Sequence, residues 1–599
     1  MQGIWNDSPE NVHVVGHRGM KKLFPENTLV SFREALDRRV DLVETDVRMS
    51  ADGVLVICHD ETVDRTTDGT GKISDLTLAE LKSLDAGAKF SPRFSGERIP
   101  TFREFLGLVS SADYPLLLNV EIKEYTEEVC DETIRELNEF GLTESAVIAS
   151  FSGRVLRYVA EKYPGIRLQG FPGRFMTDFT PETYDLMFGM GIPYDEDNPD
   201  EVRRDVALAV GRGIHPWLFI TDTEERTAGA VSLGAYNVTG NDPTHALRYL
   251  TGKGLHRPLF ENLPPVGNMK AAVLHSVGNL RVDEIAVPSP AEDEVIMEVK
   301  YCGICGSDIG RILKNGTYHF PTVPGHEFAG RIVYDPENAM TGKRGAVFPL
   351  LPCFKCESCR AGDYALCSNY DYYGSRRDGG FEKYLAIKRF NLISLPENVT
   401  YEEGAMCEPA SVGLRASKTL GIKGGENVLI TGAGPVGLCA GMWAKIKGAD
   451  EVFFTDIDEN KLRFAESLGF AVFRADSKNV FDLAIEGTGA GNALGSVINA
   501  VKPAATVVLL GNPGGNVTLS PTDYQAILRK KLTLRGTWNS SYGTDESDWR
   551  ETLSAVSGGY LPLRRLITHI ISLDELPETI KKIAARDGFF CKVLVDNER

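Results

Sequence analysis

One stretch in the middle of the chain, GKGLHRPLFENLPPVGN from Gly252 to Asn268, has neither a helical nor a strand hydrophobic rhythm. It carries the glycine and proline that interrupt both. It divides 599 residues, too many for one hydrophobic core, into two segments of different pattern. From Val12 to about Leu250, β-branched runs (VHVVG, VDLVETDV, VLVICHD, LLLNVEIK, AVIAS) alternate with amphipathic stretches such as TLVSFREALDRR. That alternation is the mark of parallel strands joined by crossover helices, and about 250 residues predicts a (β/α)8 barrel. Met269 then opens a new pattern, MKAAVLHSVGNLRVDEI, in which strands dominate to about Pro396. Helices alternating with parallel strands follow from about Thr400 to Trp538.

In the first segment the strand VDLVETDV sets Glu44 and Asp46 two residues apart, so both point to one side. NVEIK repeats the spacing with Glu121 and Lys123, while His17 follows VHVVG and His59 follows VLVIC. Polar clusters at the C-terminal ends of successive strands are what a barrel active site needs. Three converging carboxylates would repel one another unless a hard cation, Mg2+ or Ca2+, lay between them. Trp217, near the end of a late strand, has two readings, a wall of the substrate pocket or, as the more ordinary role, core packing. The ordered series GHRG, PENT, ETDV, HDETVDRTTDGTG and NVEIK resembles the glycerophosphodiester phosphodiesterase family over most of residues 11–250. The resemblance implies that Glu44, Asp46 and Glu121 hold the divalent metal. It implies His17 and His59 as general acid and base, with Arg18 and Lys123 stabilising the phosphate.

In the second segment Cys353, Cys356, Cys359 and Cys367 form C-x2-C-x2-C-x7-C, a set with the count and softness for a tetrahedral structural zinc. A looser set comprises Cys302 and Cys305 in CGICGSD, His326 and Glu327 in VPGHEFAG, and Glu408 in CEPASVG; its mixed donors suit a catalytic zinc. The run VLITGAGPVG leads from a strand through Gly432, Gly434 and Gly437 into a helix. Asp456 ends the next strand, EVFFTDID, where an acid binds adenosine ribose hydroxyls and favours NAD over NADP. Together these motifs resemble the zinc-dependent medium-chain dehydrogenases, most of all the sorbitol and galactitol-1-phosphate enzymes. The resemblance implies a catalytic zinc on Cys305, His326 and Glu408, with Glu327 as a ligand or close beside it. It gives Cys302 no ligand role and makes Ser307 the proton-relay hydroxyl. It also implies the bounds: a barrel over 1–252, a linker over 253–268, a GroES-like β-rich catalytic domain over 269–398, a Rossmann domain over 399–538, and a return to the catalytic domain over 539–599.

Composition narrows the partners. A net charge of -18 argues against nucleic acid and anionic membrane, which need a basic surface. No long apolar run reads as a membrane span and the N-terminus has no leader pattern, so a cytoplasmic chain with metal-binding rather than disulfide-bonded cysteines is expected. The expected substrates are a glycerophosphodiester and a polyol or polyol phosphate, and a homo-oligomer is expected from the second resemblance. Two working sites in one chain suggest consecutive steps. The alternatives are a barrel that only binds, leaving a dehydrogenase alone, or two active but uncoupled enzymes.

Overall fold

The computed structural model describes residues 5–257, 260–474, 477–543 and 547–599. The chain forms two compact units, one ending at Leu259 and one running from Phe260 to Arg599.

The first unit is a closed barrel. Eight parallel strands, β1 (His13–Gly16), β2 (Leu42–Met49), β4 (Leu117–Ile122), β5 (Ala146–Ala149), β6 (Arg167–Gly170), β7 (Gly189–Pro193), β8 (His215–Phe219) and β9 (Asn237–Gly240), pair in turn. The circle closes where β1 pairs with both β2 and β9. Strand alternation sorts the residues into layers. Val43, Val47, Leu118, Val120 and Ile122 are buried in the large cluster that includes the surrounding helices. Val15, Leu42 and Leu117 form a small inner layer with Trp5 packed against it. This is the apolar floor, and Glu44, Asp46, Asn119 and Glu121 stand above it. Trp217 belongs to the floor side, stacked on Trp5 with its Nε1 donating 2.8 Å to Asp7.

The run VLVICHD departs from expectation. Its strand, β3 (Leu55–Ile57), is antiparallel to the end of β2 and lies outside the barrel circle. The reason is local: β2 outruns the barrel rim, and the turn through Asp52 and Gly53 (φ +78°) folds the chain back into a hairpin. His59 therefore stands at the rim on this hairpin and not at the end of a barrel strand.

The expected linker is anchored at both ends. The helix Thr244–Lys253 runs into it, and the buried His256 Nε2 lies 2.7 Å from Asp41 Oδ2. Downstream, Asn262 exchanges hydrogen bonds with Asp335 (2.8 and 2.9 Å) and Thr341 (2.7 Å) inside the second unit. Pro258 and Leu259 fall outside the described residues.

The second unit has two main sheets. One is β-rich and built around Glu294–Gly303, all ten of whose residues are buried. The strands Ile567–Ser572 and Lys592–Asp596, from the far end of the chain, complete it. The other is a six-stranded parallel sheet containing Asn427–Thr431, Glu451–Thr455 and Phe481–Glu486, the doubly wound arrangement expected. Among the described residues no helix is long and apolar enough to cross a membrane.

Candidate active sites

The barrel site begins with the turn GHRG. Arg18 (φ +52°) and Gly19 (φ +81°) are both left-handed, and a Cβ at Gly19 would overlap Ser31 of the neighbouring helix. This tight turn aims the Arg18 backbone N–H at Glu44 Oε2 (2.8 Å) and its guanidinium at Glu26 (2.9 Å) and Asp46 (3.2 Å). The β2–β4 register sets Asp46 beside Glu121. Glu44, Asp46 and Glu121 each offer one oxygen within 4.8 Å of the others. Lys123 Nζ lies 2.6 Å from Glu121 and 3.2 Å from Asp46.

The electrostatics are those of an anionic nest. Burial and the adjacent Asp46 push the Glu44 carboxyl well above its usual range. Burial raises Asp46 as well, but Lys123 and Arg18 outweigh it and hold that carboxyl down to about 2. Asp46 Oδ1 is buried and accepts no hydrogen bond. A divalent cation fits such a set: it would ionise Glu44 and take up Asp46 Oδ1, which faces Lys123 Nζ at 3.2 Å without a hydrogen bond. Asn27, at φ +57° in the PENT turn, donates 2.8 Å to the other oxygen of Asp46.

His17 Nδ1 lies 2.7 Å from Asn241 Oδ1. Asn241 Nδ2 in turn donates 2.6 Å to Asp222, which orients the amide so that its oxygen faces the ring. Nδ1 therefore carries the proton, and Nε2 is left free, 3.8 Å from Glu44. Burial, Lys21 and Arg18 depress His17 to about 3, so the ring is neutral near pH 7. His59 Nδ1 lies 2.6 Å from Asp60, which Arg65 ties to Glu26.

In the second unit, Cys305, His326 and Glu327 each offer a ligand atom within 4.8 Å of the others. Asp308, fully buried and given no role in the sequence reading, joins two of them. It accepts from the Cys305 backbone (3.0 Å) and holds His326 Nδ1 at 3.1 Å, leaving Nε2 for a metal. Glu408 is buried at the start of the helix Cys407–Leu420, outside that three-atom set. Burial, opposed by His326, pushes its carboxyl up to about 7. Lys592, also missed, is 1% exposed and binds Glu327. Ser307 is exposed, its hydroxyl accepting 2.9 Å from Arg311. Cys302 is buried in the core cluster.

Cys353, Cys356, Cys359 and Cys367 lie with their sulfurs within 4.8 Å, Cys353 and Cys359 at 3.9 Å. That is far beyond a disulfide bond and close to the edge, about 3.8 Å, of a tetrahedron with zinc–sulfur bonds of about 2.3 Å. All four thiols are free, and backbone N–H groups of Cys359 and Ser368 bring Cys356 down to about 6.

The three glycines of the dinucleotide loop serve different ends. Gly432 takes φ +91° in the turn, and a Cβ at Gly437 would overlap the Gly432 carbonyl. A Cβ at Gly434, which caps the helix Pro435–Ile446, would meet nothing within 4 Å. That open space in front of a helix N-terminus suits a pyrophosphate. Asp456 accepts 2.9 Å from the Ala433 backbone and lines a cavity of about 680 Å³ beside the loop.

Fold and sites define two enzymes in one chain, a phosphodiesterase barrel and a zinc- and nicotinamide-dependent alcohol dehydrogenase. Residues 17–230 match the Glycerophosphoryl diester phosphodiesterase family. Residues 291–397 match the Alcohol dehydrogenase GroES-like domain and 435–558 the Zinc-binding dehydrogenase family. Galactitol 1-phosphate 5-dehydrogenase of Escherichia coli K12 is 34% identical over 345 residues, covering 55% of this chain and 99% of the relative. The crystal structure of galactitol-1-phosphate dehydrogenase from Escherichia coli superposes with a TM-score of 0.52 over 55% of this chain and all of that one. Sorbitol dehydrogenase of Bombyx mori is 31% identical, over 54% of this chain and 97% of its own length. A structure from Sinorhizobium meliloti 1021, assigned as a zinc-binding dehydrogenase and bound to NADP, is 31% identical with a TM-score of 0.51, over 55% of this chain and 99% of that one. This chain belongs to the zinc-binding medium-chain dehydrogenase family through its second unit, and carries a glycerophosphoryl diester phosphodiesterase family domain before it.

Proposed function

We propose that the barrel hydrolyses a glycerophosphoryl-polyol or glycerophosphoryl-sugar and that the second unit oxidises the polyol or polyol phosphate released, using NAD. The observation that carries the first step is the buried carboxylate trio, with an Asp46 oxygen that accepts no hydrogen bond, beside a neutral His17. Mg2+ or Ca2+ on Glu44, Asp46 and Glu121 would supply charge for the non-bridging phosphate oxygens. Arg18 and Lys123 add positive charge at the same oxygens. His17 accepts at Nε2 the proton of the attacking oxygen, that of water or of the neighbouring glycerol hydroxyl with water then opening the cyclic ester, and His59 gives a proton to the leaving oxygen as its P–O bond breaks.

In the second unit, zinc on Cys305 and His326 with Glu327 or Glu408 would make the substrate hydroxyl more acidic, and NAD would take the hydride. Asp308 fixes the His326 ring, Ser307 passes the hydroxyl proton outward, and Gly434 leaves room for the pyrophosphate. Asp456 disfavours a 2′-phosphate, hence NAD. The four-cysteine lobe holds a second, structural zinc, and the chain works in the cytoplasm as a homo-oligomer.

The test is a coupled assay on the full-length protein, offering glycerophosphodiesters of several polyols with Mg2+, Zn2+ and NAD. NADH that appears only while His17 and His59 are intact supports consecutive steps. Diester cleavage with no NADH from any released product leaves two independent enzymes.

A further inference from the structure

The barrel rim carries groups that the chemistry of diester cleavage does not use. Phe151 follows β5 and Phe171 follows β6; their rings stack at 3.5 Å, within 8° of parallel. Phe171 is buried against the edge of Phe219 at the end of β8, whereas Phe151 is 36% exposed and presents its ring to the rim. Lys123 Nζ lies 6.0 Å from the Phe151 ring centre, while its other side touches Glu121 and Asp46. The apolar face therefore begins one ammonium group away from the carboxylates. Across the site, Lys21 is half-buried near Arg18 and His17. No carboxylate lies within ion-pairing distance of its ammonium among the described residues.

These charges decide what the aromatic face can hold. A bare ring attracts a quaternary ammonium, but a cation on Phe151 would sit beside Lys123 in a partly dewatered rim. A cation bound to the three carboxylates would cancel the negative charge that now offsets Lys123 and Arg18, sharpening the repulsion. A polyol suffers no such penalty: its C–H edges pack on the ring and its hydroxyls face the ammonium groups. We infer that Phe151, backed by Phe171 and flanked by Lys123, with Lys21 across the site beside His17, is the subsite for the alcohol of the diester, and that it selects an uncharged or anionic polyol over a cationic headgroup. This rests on the phosphodiesterase reading above and adds to it the subsite that holds the alcohol and its discrimination by charge.

The experiment compares glycerophosphoglycerol with glycerophosphocholine on the full-length protein at one Mg2+ concentration. The expected result is a kcat/KM at least tenfold higher for the glycerol diester. Phe151→Ala should lower that kcat/KM at least tenfold, mostly through KM, with Phe151→Tyr restoring most of it. Lys21→Gln should narrow the preference between the two substrates at least threefold. Equal or faster cleavage of the choline diester, or an unchanged KM in Phe151→Ala, would overturn the subsite and leave the phosphodiesterase reading standing. No cleavage of either substrate overturns both.

Discussion

At the scale of single residues, the chain keeps two buried carboxyls under opposite regimes. Asp46 is ionised beside Glu44 and Glu121; on the proposed function, Asp46→Asn should abolish diester cleavage and weaken Mg2+ binding at least 100-fold, read by calorimetric metal titration. Glu136, on the helix Glu127–Glu139, is raised to about 7 by burial, with Arg103 and Arg135 no nearer than 3.9 Å. A carboxyl whose folded pKa lies above its ordinary 4.5 takes up a proton on folding. Its contribution is therefore intact below about pH 4.5 and is lost as the pH climbs through 7. Glu136→Gln should accordingly raise the barrel's melting temperature by a few degrees at pH 8 and change it little at pH 4.5. Much at this scale was legible beforehand. Glu44, Asp46 and Glu121 announce themselves because a strand repeats every two residues. Lys592 could not be read, since 265 residues separate it from Glu327 and only the sheet brings them together. Asp308 was within reach: it stands three residues after Cys305 inside a motif already singled out, and only its burial against His326 reveals its role.

At the scale of elements, the same sequence signal can describe two different structures. VLVICHD reads as a strand and is one, but the Asp-Gly turn before it makes it the return arm of a hairpin and not a member of the barrel. Strand propensity gives the element; the turn chemistry gives its direction. The dinucleotide loop supports a sharper separation. Gly434→Ala should weaken NAD binding at least tenfold without lowering thermal stability, because its Cβ would enter only the space left for the cofactor. Gly437→Ala should lower both, because its Cβ would displace the Gly432 carbonyl. Thermal melts with and without NAD distinguish the two. In the cysteine lobe, Cys356→Ser should cost one zinc of the two expected per chain, counted by metal analysis, and leave diester cleavage intact.

At the scale of the whole molecule, each unit closes its own core, and the segment between them is fastened at either end by His256 and Asn262. A chain ending at Arg257 should therefore fold and retain diester cleavage, and heating the full-length protein should give two transitions of which only the later-encoded one responds to NAD and to a zinc-selective chelator. The division into two was legible because the aperiodic stretch is so unlike its flanks. Its anchoring was not, since both anchors are hydrogen bonds to distant residues, Asp41 and Asp335.

The strand Lys592–Asp596 gives the molecule an order in time. The barrel's last helix ends at Lys253, whereas the dehydrogenase metal site lacks Lys592 until that strand has been made. At about 5–20 residues per second on the ribosome, the barrel is complete roughly 20 to 70 seconds before its neighbour can be. A nascent chain thus completes its phosphodiesterase-family barrel first, and message broken or stalled inside the second unit should still yield that barrel without its neighbour.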